Sequence, residues 1–197
     1  MKSKLFPKTK MKNKVKILII SVILLIGAGC AYKAFRPQSG DYHIEDGFAI
    51  VRADSLSIAI RPQSYRGLSD LGTNNYFPIY VQVKNLGKTK KSLPIEAFGI
   101  VAGKMQYDHI PMDYILGDYQ RRLYLSQWDA MQNDSPSLVD QRQKDVDGYY
   151  NLMSAALSFG DILPGATKEG YLFYSPAVRK SESFIVDVFG KEVHFAK

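Results

Sequence analysis

The sequence predicts a mainly β protein: an antiparallel β-sandwich with a partly helical insertion, preceded by an N-terminal signal or membrane-anchor helix. Three observations lead there. Short runs of alternating apolar and polar residues recur from residue 48 onward, separated by turn-forming residues. One long interval, residues 111–160, breaks that period of two. Residues 17–30, ILIISVILLIGAGC, follow a start that holds seven lysines and no acidic residue. The strand–helix alternation that builds a parallel sheet is not seen.

The basic start, the aliphatic run and the small residues Gly27, Ala28 and Gly29 are laid out like a secretory signal. The lysines stay on the cytoplasmic side and the chain beyond is exported. The uncharged run 17–32 lies between Lys16 and Lys33. It is slightly shorter than the usual range of about 17–25 residues for a spanning helix. Both a cleaved signal and an uncleaved anchor, with its flanking lysines at the two interfaces, fit this run. The expected division is a signal or anchor over 1–29, a tether over 30–47, and a sandwich over 48–197 with its insertion at about 111–160. Pro37, Gly40 and Gly47 interrupt any period in the tether.

The formal charge of +7 invites a nucleic-acid reading, but the seven leader lysines account for all of it. Beyond residue 29 the basic and acidic residues balance at 19 each, so net charge gives no support to a nucleic-acid partner. Cys30 is the only cysteine, which excludes an intramolecular disulfide and a thiolate cluster within one chain. The exported part is long enough for one domain with its own core.

Residues 48–52 (FAIVR) and 56–60 (LSIAI) read as strands, the second closed by Arg61-Pro62. Residues 63–75 read as a loop rich in Gly, Ser and Asn. The clearest strand is 77–85 (FPIYVQVKN), with Phe77, Ile79, Val81 and Val83 on the core face. A polar turn at 86–89 leads to a strand at 95–101, and Gly103-Lys104 turns into another at 105–110. Within 111–160, Ser135-Pro136 reads as an N-cap and first helical residue. Val146, Tyr149, Tyr150, Met153 and Leu157 recur at helical spacing, and Gly160 is a candidate helix cap. Residues 113–128 fit helix and strand equally. Pro164-Gly165 is a turn, and 171–174, 184–189 and 192–195 alternate again. Gly190-Lys191 is the expected hairpin turn between the last two, giving about eight strands.

Two resemblances add to this reading. Ala28-Gly29-Cys30 resembles the end of the bacterial lipobox, although Gly27 stands where leucine is usual. This implies a diacylglyceryl thioether on Cys30, cleavage before it and an acylated new amine. Several acyl chains hold a protein firmly to a bilayer. Ala31, rather than an aspartate, follows the cysteine. By this resemblance a Gram-negative source implies the periplasmic face of the outer membrane. Otherwise the expected place is the outer face of the cytoplasmic membrane. The second resemblance lies in Val81, Val83 and Asn85 with Pro164, Gly165, Gly170, Leu172 and Pro176. These are similar to secreted bacterial immunoglobulin-like domains of the uncharacterised and immunoprotective-antigen type, with a V-x-V-x-N strand and a later Pro-Gly turn. This implies an immunoglobulin-like sandwich and no particular activity. The 111–160 insertion has no counterpart in that pattern.

The residues do not assemble a catalytic motif. His43, His109 and His194 are far apart in sequence and form no ligand pair. Neither G-x-S-x-G nor a glycine-rich phosphate loop occurs. Asp108, His109 and Asp113 are an acid–base candidate, outweighed by solvated loop charges. The mixed charges at 140–147 read as a solvated helix face rather than a calcium loop. No cofactor or metal is expected. The suggestive feature is aromatic: Tyr114, Tyr119, Tyr124 and Trp128 are the candidate binding residues, because Tyr and Trp bury much area with few rotamers to freeze. The expected function is a membrane-anchored exported binding or structural module of the envelope, not an enzyme, with a membrane and an envelope protein as partners. The alternatives are an accessory subunit of a secretion or conjugation assembly, and an envelope hydrolase or metal-dependent enzyme.

Overall fold

The run with the cleanest alternation forms the longest strand, and the sheets are arranged around it. The computed structural model describes residues 34–65, 75–132 and 136–197. The leader, Cys30, most of the 63–75 loop and Ser135 lie outside the described residues. The strands are β1 (Arg36–Pro37), β2 (His43–Glu45), β3 (Phe48–Ala53), β4 (Leu56–Pro62), β5 (Phe77–Asn85) and β6 (Lys91–Leu93). After these come β7 (Phe98–Ala102), β8 (Met105–Asp108), β9 (Gly160–Ile162), β10 (Thr167–Tyr174), β11 (Ser183–Val188) and β12 (Lys191–Ala196). Two helices, α1 (Met112–Gln132) and α2 (Pro136–Ala155), stand between β8 and β9.

The strands form an antiparallel sandwich. One sheet has the order β1-β12-β11-β7-β8, the other β10-β5-β4-β3-β2, and β6-β9 is a small ribbon. Phe77, Ile79, Val81 and Val83 are buried, as their alternation predicts, while Gln82 and Lys84 on the other face are exposed. Val81 pairs with Ile60 on one side and Gly170 on the other, so it is central. Its face meets Ile100, Phe184, Val186, Val193 and Phe195 from the opposite sheet in one apolar core. The rings of Phe77 and Phe184 meet edge to face at 5.3 Å.

Asn85 ends β5 and is fully buried. Its Nδ2 donates to the carbonyls of Thr89 at 2.8 Å and Ile162 at 3.0 Å. Its Oδ1 accepts from the Gly87 N–H at 2.9 Å, closing the turn after the strand. The backbone of Asn85 bonds Gly165 and Ala166, which fixes the Pro164-Gly165 turn that leads into β10.

Several expectations need correction. The tether does not extend to residue 47. Phe35 is buried, with its ring edge to face against Phe77 at 5.7 Å and Phe184 at 4.8 Å. Arg36 and Pro37 pair with Ala196 and Phe195, and β2 pairs with β3. Gly47 follows Asp46 in a tight turn, both at positive φ. A phenylalanine that fills the space between two sheets outweighs the neighbouring breakers, and Phe35–Lys197 is one compact unit. The strand expected at 95–101 begins at Phe98, because Ile95–Ala97 forms a 3-10 turn after Pro94. The last hairpin turns at Phe189-Gly190, not Gly190-Lys191: Val188 pairs with Lys191, and φ is 53° and 75° at the two turn residues. Gly160 does not cap α2, which ends at Ala155; it opens β9 instead.

Candidate functional site

Residues 112–155 form a helical hairpin laid against the outer face of the β10 end of its sheet. Along β10, Leu172 and Tyr174 point into the sandwich, so Tyr171 and Phe173 point outward. Phe173 is only 1% exposed because Tyr65, Tyr76, Ile115, Leu116 and Leu152 surround it in a second apolar cluster. The Phe173 ring meets those of Tyr65 and Tyr76 edge to face at 5.9 and 6.3 Å.

Both ends of the hairpin are tied to β10. The Ile110 N–H donates to the Phe173 carbonyl at 2.7 Å, and the Leu157 N–H donates to the Tyr171 carbonyl at 3.1 Å. The exiting chain runs so close that a Cβ on Gly170 would lie 2.5 Å from the Leu157 nitrogen. Pro111 supplies a carbonyl to the first turn of α1, and Asp113 sits where the helix dipole favours a negative charge. The Tyr76 hydroxyl donates to Asp118 at 3.0 Å, fastening the second turn.

The outward side of α1 is aromatic. At about 100° per residue, Tyr114, Leu125 and Trp128 fall within about 60° of one another, with Tyr124 beside Trp128. Ile115 and Leu116 occupy the opposite side. Tyr114 is 68% exposed, Tyr124 67% and Trp128 56%. Three of the four expected binding residues therefore share one exposed stripe. Tyr119 is also in α1, and its side chain lies outside the described residues. Leu125, Tyr150 and Met153 join the exposed set. Tyr150 and Met153, which recur at helical spacing with Val146 and Tyr149, do not face the sheet. Leu152 occupies the inner face of α2, with Tyr149 half-buried beside it. Leu157 is buried but lies beyond the helix. Small and aliphatic residues, rather than the conspicuous aromatics, line the inner side, and that is the signal the sequence reading passed over.

The acid–base candidates meet in pairs around His109, which lines one cleft with Asp108 and another with Asp113. Asp108 ends β8, Asp113 is in α1, and His109 lies half-buried between two clefts of about 570 and 230 Å³. The larger is lined by Glu96, Phe98, Ile100, Asp108 and Asp187, the smaller by Ile110, Met112, Asp113, Leu157 and Phe173. The His109 ring faces Phe159 at 5.4 Å. Burial pushes its pKa down, against the opposing pull of Asp108 and Glu96. His43 and His194 are exposed and lie beside Glu45 and Glu192 respectively. Among the described residues, no three His, Cys, Asp or Glu side chains are grouped to share a metal ion. Nor is any helix among them long and apolar enough to cross a membrane.

Comparisons with protein families, curated proteins and solved structures yield no match to this chain.

Proposed function

We propose that this chain is an exported module of the bacterial envelope, held at a membrane through lipidated Cys30 or an uncleaved anchor helix. In this reading it acts by binding rather than by catalysis, and the α1–α2 hairpin is its contact surface. The observation that carries the reading is the exposed stripe of Tyr114, Tyr124, Leu125 and Trp128. Isolated exposed apolar residues are ordinary, whereas an aromatic stripe opposite a helix's buried face marks a second contact. The anchor is supported by the seven-lysine start, the aliphatic run and the small residues before Cys30.

The immunoglobulin-like form of the sandwich is supported by strand order. In one sheet β4-β5-β10 follows the A-B-E order, and in the other β12-β11-β7-β8 follows G-F-C-C′. The hairpin then occupies the connection between C′ and E. There it takes the part that loops play in such folds, where a rigid scaffold positions the recognition surface.

Photo-crosslinking in native membranes tests the reading. A crosslinking residue at position 125 is expected to trap adducts efficiently, and one at exposed Gln106 on β8 is not. Equal or absent trapping at the two positions would remove the hairpin as the contact surface.

A further inference from the structure

The sheet that does not carry the hairpin has a row of acids on its outer face. Glu192 pairs with Asp187, Asp187 with Gly99, and Gly99 with Asp108, so the row crosses β12, β11, β7 and β8. Directly paired residues share a face, and here it is the exposed one. Like charges placed directly opposite destabilise a sheet, and Asp187 and Glu192 are such a pair. His194 stands beside Glu192 at 3.6 Å. Among the described residues, Glu96, Asp108 and Asp187 are in no ion pair. These three line the cleft of about 570 Å³, within the range of about 300–1,000 Å³ usual for small-ligand sites. Lysine and arginine are absent from its lining, and burial favours the neutral form of the lining residue His109.

Gly99 lines the cleft between the two aspartates, and nothing in the strand requires a glycine there. Its backbone is not left-handed. Its pairing runs unbroken on both sides, so it marks no bulge. A Cβ added to it would meet nothing within 4 Å. Glycine inside a strand weakens it, and apart from bulges and bends its usual occasion is a ligand or another chain coming close. Ile95 and Val101 also line the cleft and are 43% and 42% exposed, which gives it apolar surface. The two aspartates are already held in place. Gln106 Nε2 donates to Asp108 Oδ1 at 3.0 Å, and the Gly190 N–H donates to Asp187 Oδ1 at 2.7 Å. The second oxygen of each is left to accept from a ligand.

We propose that this groove binds a linear alkyl polyamine, laid across Gly99 with one ammonium at Asp108 and another at Asp187. The class follows from charge complementarity and from the spacing of the acids. Two strand spacings, about 9–10 Å, separate the backbones of the two aspartates. The acids are strung along the groove rather than gathered, and among the described residues no three His, Cys, Asp or Glu side chains group to share a metal ion. A single compact cation meets one carboxylate, whereas a flexible chain charged at both ends meets two. Its methylenes use the gap over Gly99 and the apolar surface of Ile95 and Val101, which a hydrated metal ion would not. The site is on the other sheet from the hairpin and does not depend on the hairpin's role.

The probe is α,ω-diaminopentane, titrated by calorimetry into the full chain in mild detergent at neutral pH and low salt. It is expected to bind roughly fivefold tighter than pentylamine, as one further partly exposed ion pair gives. Added salt should weaken the diamine more than the monoamine. Gly99→Val puts a strand-forming residue into open space, so the melting temperature should hold or rise while diamine binding is lost. Asp187→Asn keeps the oxygen that accepts from Gly190 and should reduce the affinity for the diamine to that for pentylamine. Equal affinity of the wild-type chain for diamine and monoamine, or no binding of either, would overturn the inference. So would undiminished diamine binding by a folded Gly99→Val chain, a diamine preference that survives in Asp187→Asn, or displacement of the diamine by equimolar calcium or magnesium.

Discussion

Replacing Asn85 with alanine should be among the most damaging single changes to this domain. The side chain is fully buried and makes three hydrogen bonds, at 2.8, 2.9 and 3.0 Å. They join the end of β5 to the following turn and to β9. Alanine removes all three. The bonds to Thr89 and Gly87 lie at a partly exposed edge, so water can replace them in part, at about 1 kcal/mol each. The Ile162 carbonyl is different, because its residue is 1% exposed and the bond to it is buried. Leaving such an acceptor without a partner costs about 1–3 kcal/mol. The total is about 3–5 kcal/mol, a large share of the roughly 5–15 kcal/mol that holds a typical domain folded. At roughly 2–4 °C per kcal/mol for a chain of this size, the melting temperature should fall by about 6–20 °C. Thermal melts of the full chain in mild detergent, followed by circular dichroism, measure it. A second variant separates hydrogen bonding from volume. Asn85→Asp keeps the acceptor for Gly87 but turns a carboxylate toward two carbonyls. Burial raises that carboxyl's pKa in the folded state, so the charge part of its penalty is present at neutral pH and is relieved as the pH falls from that pKa to the unfolded value, while the single O–H of the neutral acid still serves only one of the two carbonyls. A melting temperature for Asn85→Ala within about 2 °C of wild type would refute the reasoning, because the network would then hold nothing that water cannot replace.

Phe35→Ala should destabilise the domain by about 3–5 kcal/mol, the usual cost of emptying a buried aromatic site. A denaturant midpoint unchanged from wild type would return residues 35–47 to the role of a tether. Gly170→Ala should loosen the hairpin from the sheet, because the added methyl lies 2.5 Å from a backbone nitrogen that no rotamer change can move. Faster hydrogen exchange at Leu157 and in the last turn of α2 would show it, and an unchanged exchange pattern would count against the close approach. Val81→Asp places an unpaired charge in the central strand and should cost several kcal/mol, enough to leave a large unfolded fraction. A melting temperature equal to wild type would mean that the wrong face of β5 has been assigned to the core.

How far the fold could be read depended on how many constraints each segment satisfies at once. The longest strand was legible because one face of it meets the core while the other carries Tyr80, Gln82 and Lys84, the last two exposed, so its composition alternates. Asn85 and Pro164-Gly165 were legible as a pair, since a strand end and a turn that bond each other impose particular residue types. Three-residue β6, reading Lys-Ser-Leu, buries only Leu93 and carries too little pattern to detect. Phe35 was hidden because a single buried ring among turn-forming residues creates no period. Residues 113–128 were ambiguous for a different reason. Apolar residues lie on both sides of α1, Ile115 and Leu116 inward and Tyr114, Leu125 and Trp128 outward, which smears the helical period that one buried face would give. The feature that obscured the helix is the one that makes it the candidate contact surface. The candidate residues themselves were visible by type, but their common stripe emerged only once the helix fixed their angles.

The intact mass of the membrane-extracted chain tests the anchored reading most directly. The expected species begins at Cys30 and carries the added mass of a diacylglyceryl group and an amide-linked acyl chain. An unmodified chain that retains residues 1–29 and stays with the membrane would replace lipidation with the uncleaved anchor helix. An unmodified chain recovered from the soluble fraction would contradict the reading, because neither Cys30 nor the aliphatic run before it would then hold the domain at a bilayer.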